Sequence, residues 1–382
     1  MRLAFLIGEL SQQSGQTQML METAIYLKKS LPDLECTIFT SVIIGEIPLK
    51  LVQTDVKIRY VSRSFILFFI SKNLTEELKH FDMVYITGLY QYVFSAARSK
   101  KPVLYVAHHL GSPKLFKNPI TRLKTLFSTW MFPLVVHRTT VLITVTEELG
   151  RFYEAKFKVK PVIIENIISD KYILEKSRGN LTFCDDRPIR LLSVGYWDGF
   201  DGRKRQDILI KIISELIRKG YKLRLTLVGL FAANINSLKN VATDLSITDN
   251  ITFKTYLTED ELLNEYINND VYVTATRDEG FYRQIVEAFG TGMPGLVFDS
   301  RDVVDGDSNA ASANHVLKAK AGVLFRDAKS FEIGLSNIVK NYMIYSSNAI
   351  VYAKNYSSDS IGKKMMNTIT LLNKKTVESP LN

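Results

Sequence analysis

The 382-residue sequence predicts an α/β protein of two doubly wound, Rossmann-like domains. Three observations predict it. Short apolar runs bounded by polar turns alternate with helix-periodic segments through both halves of the chain, and parallel sheets covered on both faces are what such a pattern buries. The alternation breaks over a polar stretch, Ser177–Pro188, and restarts at Ile189. The length exceeds one ordinary core, at ~100–200 residues per domain.

Taken in order, Arg2–Ile7 reads as the opening strand. It is not an export signal, because no small-residue cleavage pattern follows Leu3–Ile7. Thr17–Ser30 reads as a helix with apolar Met19–Met21, Ala24, Ile25 and Leu27. Glu35–Thr40, Asp82–Thr87, Val103–Val106, Val141–Val145 and Val162–Ile164 read as strands. The second half opens with strand Ile189–Gly195 and helix Asp207–Lys219. Strand Lys222–Val228, helix region Ile235–Leu245, strand Thr252–Thr255 and helix Glu259–Asn268 follow. Strand Asp270–Thr276, helix Arg283–Thr291 and strand Gly295–Asp299 complete the pattern. The expected division is a first domain over 1–176, a linker over 177–188 and a second domain over 189–360. A terminal helix within 361–382 is expected to pack back on the first domain. Two such domains leave a cleft at the carboxyl ends of their strands, where these folds bind ligands.

An apolar share of 46% and a charged share of 23% place the chain among ordinary globular proteins. No apolar run approaches the ~18 residues that cross a bilayer. Cys36 and Cys184 lie far apart, which excludes a disulfide framework or zinc spacing and suits a reducing cytoplasm. Charge is uneven: of the net +10, residues 1–185 hold 24 Lys+Arg against 16 Asp+Glu, and residues 186–382 hold 25 against 23. No acidic residue occurs from Met83 to Thr146, a stretch that includes Lys114, Lys117, Arg122, Lys124 and the aromatic Trp130. These five are candidates for contact with an anionic membrane surface or a lipid-linked acceptor. The bland alternative is a core-packing helix with a solvated basic face. A nucleic-acid role is disfavoured, since no reader motif accompanies the basic residues.

The chemistry concentrates in DVYVTATRDEGFYRQIVEAFGTGMPGLVFD, residues 270–299. A strand runs into a short loop, and a helix begins near Arg283. The first N–H groups of a helix lack intrahelical partners and carry the positive end of its dipole, so they suit a phosphate or sugar hydroxyls. Gly280 is expected to give the bend and close ligand approach. Glu279 and Glu287 flank the site, and a carboxylate accepts two hydrogen bonds side by side from neighbouring sugar hydroxyls. After Gly195, at a strand end, comes Arg203-Lys204-Arg205. That cluster reads as a phosphate clamp led by Lys204, or as a solvated basic turn. His108 and His109 follow the apolar run Pro102–Ala107 and suit hydrogen bonding or charge stabilisation rather than nucleophilic attack.

Glu279-Gly280-Phe281, Glu287-Ala288 and Gly292-Met293-Pro294 resemble the Glu-x7-Glu and G-x-P pattern of the retaining glycosyltransferases of family 4. Ile189–Gly195, Lys204-Arg205-Gln206-Asp207, Leu227–Gly229, Leu257–Leu263 and Gly322–Phe325 with Asp327 extend the likeness over the second half. Ser14-Gly15, Pro102…His108 and Val162…Asn166 carry a thinner likeness in the first. The resemblance implies a GT-B fold, with two Rossmann-like domains facing across a cleft. It also implies a metal-independent reaction without a cofactor and with retention of anomeric configuration. By the same resemblance the second domain holds the donor, Glu287 binds its ribose, and Glu279 holds the transferred sugar. The N–H groups of Phe281 and Tyr282 then face sugar and diphosphate. The sequence departs from the family at Tyr196, where an arginine is usual. Three extra residues separate Gly195 from Lys204, and Arg203 is one candidate for the missing charge, with the choice left open. Tyr256 and Tyr282 replace smaller residues, and Tyr282 is expected to narrow the sugar site.

The expected function is transfer of a sugar from a nucleotide-sugar donor to a glycan, lipid-linked or other hydroxyl acceptor. Catalysis is expected from Glu279, Lys204, Arg203 and His108, and donor binding from Gly15, Gly195, Arg205, Gly280, Phe281, Tyr282 and Glu287. The expected setting is the cytoplasm, including its membrane face, with no metal site. Alternatives are a sugar-nucleotide epimerase or phosphorylase on the same fold, or a non-catalytic nucleotide- or nucleic-acid-binding protein. An oxidoreductase is disfavoured because no G-x-G-x-x-G follows the first strand.

Overall fold

The computed structural model describes every residue except 12–13, 46, 48, 62–70, 109–118, 184–186, 198–202, 231–233, 303–309 and 379–382, with the side chains of 49, 120, 121, 124, 125, 230 and 375–378. The chain forms two compact units, Met1–Ile167 with Ser357–Asn382, and Ile168–Tyr356.

The first unit opens with β1 (Arg2–Ser11), α1 (Gly15–Ser30), β2 (Glu35–Ile44), α2 (Leu49–Val52) and β3 (Lys57–Tyr60). It continues with α3 (Lys72–Leu78), β4 (Met83–Thr87), α4 (Tyr92–Arg98) and β5 (Val103–Ala107). Then come α5 (Pro119–Val136), β6 (Val141–Thr144), α6 (Glu147–Phe157) and β7 (Val162–Ile163). The seven strands are parallel in the order β3-β2-β1-β4-β5-β6-β7. Interior strands β4 and β5 are buried at every position, as covering on both faces requires. Edge strand β3 reads Lys-Ile-Arg-Tyr and is largely exposed, which is why no apolar run announces it.

The second unit runs β8 (Ile189–Tyr196), α7 (Gln206–Arg218), β9 (Leu223–Leu230), α8 (Ile235–Asp244) and β10 (Ile251–Thr255). Next are α9 (Glu259–Asn268), β11 (Val271–Thr274), α10 (Arg283–Gly290) and β12 (Gly295–Phe298). It closes with α11 (Ala311–Ala319), β13 (Gly322–Phe325), α12 (Ala328–Lys340) and α13 (Tyr342–Ala353). Its six strands are parallel in the order β10-β9-β8-β11-β12-β13. Helix α7 shows how sequence becomes packing. Leu209, Ile210, Ile213 and Leu216 fall on one face and are fully buried in the core, at about 1.5–3 kcal/mol each. Helix α9 starts where Thr258 and Glu261 close a capping box, which leaves two orphan donors satisfied before β11 begins.

The expected linker over 177–188 is not a linker. Leu181 belongs to the second unit's core. Arg178 donates through its guanidinium to the carbonyls of Thr291, Asn269 and Tyr266, and Arg187 pairs with Asp270 at 2.8 Å. The stretch looked like a linker because its anchors are arginines, whose apolar stems and charged heads leave no apolar pattern. The chain instead passes between the units at Ile167–Ile168 and again at Tyr356–Ser357. After the second passage α14 (Ser358–Glu378) packs on α1. Ile361, Met365 and Ile369 are buried there, and Lys364 reaches Glu165 at 2.8 Å. Cys36 is a buried free thiol, pushed up to about 12 by burial. Cys184 lies outside the described residues.

Candidate active site

In each sheet the strand order reverses once, between β1 and β4 and between β8 and β11. Ligands of open α/β sheets bind at such a reversal, beyond the carboxyl ends of the strands. In the second unit the reversal lies beside the ends of β8 and β11, and Glu279, Lys204, Arg203, Tyr282 and Gly195 gather there. Glu279, after β11, forms an ion pair with the Lys204 ammonium, 75 positions earlier in the chain. Arg203 Nη2 stands 3.8 Å from the same carboxylate, and the Thr276 hydroxyl donates to it at 3.4 Å. The Arg277 N–H bonds the Arg203 carbonyl at 3.1 Å, which ties the two loops together. Lys204 is 5% exposed and lies over the Tyr282 ring, 4.8 Å from its centroid. Gly195 lies against it, where an added Cβ would come within 3.3–3.6 Å of the last three atoms of Lys204. Arg205 turns the other way, in a left-handed conformation ahead of α7, with Nε 3.9 Å from Asp207.

Helix α10 begins beside this cluster. The bend expected at Gly280 falls at Tyr282, which adopts φ 58° and ψ 64° just before the helix. A left-handed tyrosine costs roughly 1–2 kcal/mol, and its side chain holds it there. The Tyr282 hydroxyl lies 2.9 Å from both the Tyr272 hydroxyl and Thr274 Oγ1. The side chain is therefore a buried plug between strands. Tyr256 is also left-handed, with φ 57°, a conformation that explains why glycine suits that position. Tyr196 ends β8, and its carbonyl accepts from Gln206 Nε2 at 2.7 Å.

Glu287 sits deeper, on α10. It accepts from the Tyr266 hydroxyl at 3.0 Å and pairs with Arg283 Nε at 2.6 Å. Burial raises its pKa, while Arg283 and Tyr266 pull in the opposite direction. Among the described residues no group of three or more His, Cys, Asp or Glu gathers to hold a metal ion.

In the first unit, Gly15 opens α1 after β1, with open space around its Cα. His108 follows the end of β5 and meets the Thr87 hydroxyl at 2.7 Å. Desolvation lowers its pKa to about 4, so at neutral pH the ring is uncharged. That suits a hydrogen-bonding role. His109, Lys114 and Lys117 lie outside the described residues, as does the side chain of Lys124. Arg122 and Trp130 are exposed on α5.

Residues 189–341 match the family model described as Glycosyl transferases group 1. Over that stretch the second unit resembles group 1 glycosyltransferase domains. Protein CapJ of Staphylococcus aureus is 29% identical over 154 residues, 40% of this chain and 37% of CapJ. The match thus spans less than two fifths of that relative. A glycosyltransferase from Rickettsia africae ESF-5 superposes with a TM-score of 0.71 at 15% identity, covering 97% of this chain and 98% of that one. Anabaena HepE in complex with UDP-glucose gives 0.69 at 14% identity, covering 97% and 99%. At that identity the likeness concerns the fold, and the fold is GT-B.

The second unit also holds a polar anchor that sequence reasoning missed. His315 on α11 meets the Phe281 carbonyl through Nε2 at 2.6 Å and the Tyr352 hydroxyl through Nδ1 at 2.8 Å. The Phe281 ring stands edge-on to His315, 4.9 Å between centroids, and Tyr356 donates on to Tyr352 at 2.7 Å. A carbonyl only accepts, so the proton rides on Nε2. The sequence offered one lone histidine 34 positions from Phe281, with no spacing to connect them.

Proposed function

We propose that the protein is a retaining, metal-independent glycosyltransferase of family 4, moving a sugar from a nucleoside-diphosphate sugar to a glycan, lipid-linked or other hydroxyl acceptor. The observation that carries this reading is the meeting of Glu279, Lys204 and Arg203 at the start of α10. In such a transfer the bond from the anomeric carbon to the diphosphate breaks, and the leaving group takes the electron pair. A bond from the acceptor oxygen forms on the same face, and the acceptor proton passes to the departing phosphate. The charge that develops needs fixed positive partners, and preorganised electrostatics of this kind is often the largest catalytic contribution. Lys204, Arg203 and the α10 N-terminus supply them without a metal. Glu279 keeps both cations in place and offers its lone pairs to hydroxyls of the transferred sugar. Glu287 has acceptor capacity beyond Tyr266 and Arg283, and two ribose hydroxyls are suited to it. The free thiol of Cys36 supports a reducing, cytoplasmic setting.

The test is release of nucleoside diphosphate from UDP-, GDP- and ADP-sugars, with the anomeric configuration of the product read by NMR. Glu279→Ala and Lys204→Ala should each lower turnover by about 10²-fold or more. Glu287→Ala should mainly raise the donor KM. If both glutamate variants turn over like the wild type, the assignment is wrong. An inverted product would remove the retaining mechanism, and a sugar epimer released as its nucleotide would replace the transferase reading.

A further inference from the structure

Helix α5 carries two apolar faces, and only one of them is buried. Its buried face is Met131, Phe132, Val135 and Val136. Phe132 packs against Tyr105, Tyr153 and Phe157, with ring centroids 5.1–6.0 Å apart. The opposite face carries Leu123, Leu126, Phe127, Trp130 and Leu134, all exposed, with Leu123 at 68% and Trp130 at 70%. Their spacing of three, four, seven and eleven places them on one stripe of a helix. The bland alternative of a core-packing helix with only a solvated basic face does not describe α5, since one apolar face anchors it and a second apolar stripe is solvated. Contiguous exposed stripes of this kind mark interaction sites.

Charge identifies the occupant. Arg122 lies exposed beside the stripe, within the stretch from Met83 to Thr146 that holds no acidic residue. A second copy docked face to face would set like charges together, because a two-fold interface pairs the same patch with itself. An anionic bilayer satisfies both halves, with apolar side chains and the Trp130 ring in the interface and cations at the headgroups. No described helix is long and apolar enough to cross a membrane, so the contact is in-plane. We propose that α5 is a membrane-interface helix through which the first unit binds anionic lipid. The proposal stands independently of the chemistry proposed for the second unit.

The test uses the full chain with vesicles of phosphatidylcholine alone or mixed equally with phosphatidylglycerol. Co-sedimentation should require the anionic lipid and fall about tenfold or more at about 0.5 M salt, where surface charge is screened. Trp130 is one of two tryptophans, and Trp197 is buried, so a blue shift of emission on mixing reports Trp130 leaving water. Leu123→Gln with Leu126→Gln should weaken vesicle binding about tenfold or more, with the thermal midpoint unchanged because both sites are exposed. Failure to bind anionic vesicles, equal binding to neutral ones, or undiminished binding by the double variant would overturn the proposal. A dimer in sedimentation velocity that the double variant dissolves would also overturn it, by making the stripe a contact between copies.

Discussion

At the scale of single residues, the domain uses charge and hydrogen bonding to fix a loop that has little regular structure. His315 bonds the Phe281 carbonyl, so under the proposed function it is a positioning residue that would act on a donor through that loop. We expect His315→Phe to lower kcat/KM by about tenfold to a hundredfold, since small misplacements of a positioned group have that effect. His315→Gln keeps an N–H near the Nε2 position and should recover most of the loss. A role confined to stability would shift the thermal midpoint and leave kcat/KM of the folded protein unchanged.

His108 gives a pH signature in the first unit. Burial lowers its folded pKa to about 4, against 6.5 in the unfolded chain. Between those values the unfolded state binds a proton that the folded ring refuses, so stability falls as pH drops from about 6.5 towards 4. The loss between pH 7 and 5 should be about 1–2 kcal/mol by urea unfolding. His108→Gln should flatten that slope, and an unchanged slope would mean that the ring is better solvated than its position indicates.

At the scale of elements, close packing decides where helices sit. Gly362 of α14 rests against Tyr26 of α1, where an added Cβ would approach ring carbons to 2.4–2.6 Å. Gly362→Val should therefore destabilise the protein by about 1–3 kcal/mol in denaturant unfolding. Adding Tyr26→Ala should return part of that, because the cycle removes the clash. Additive effects of the two changes would refute the contact. The same scale shows what the sequence left ambiguous. The apolar pattern of α5 is legible, but periodicity does not say which of two apolar faces meets the core. The bend before α10 was expected at Gly280, since glycine is the residue that turns cheaply. It falls at Tyr282 because hydroxyl bonds to Tyr272 and Thr274 offset the strain.

For the whole molecule, alternating apolar runs and helix periods determined the class of fold, two parallel sheets with helices between strands, because burial on both faces imposes that pattern locally. The order of residues 270–299 likewise determined that two carboxylates would bracket a helix start. Tertiary structure alone decided the rest. It brought Lys204 and Arg203 to Glu279 and His315 to Phe281, and drew the supposed linker into the second unit through Arg178 and Arg187. It also turned an apolar stripe of α5 to the solvent. Each depends on which distant side chains meet, and a chain read one neighbour at a time carries no record of contacts made tens of residues apart.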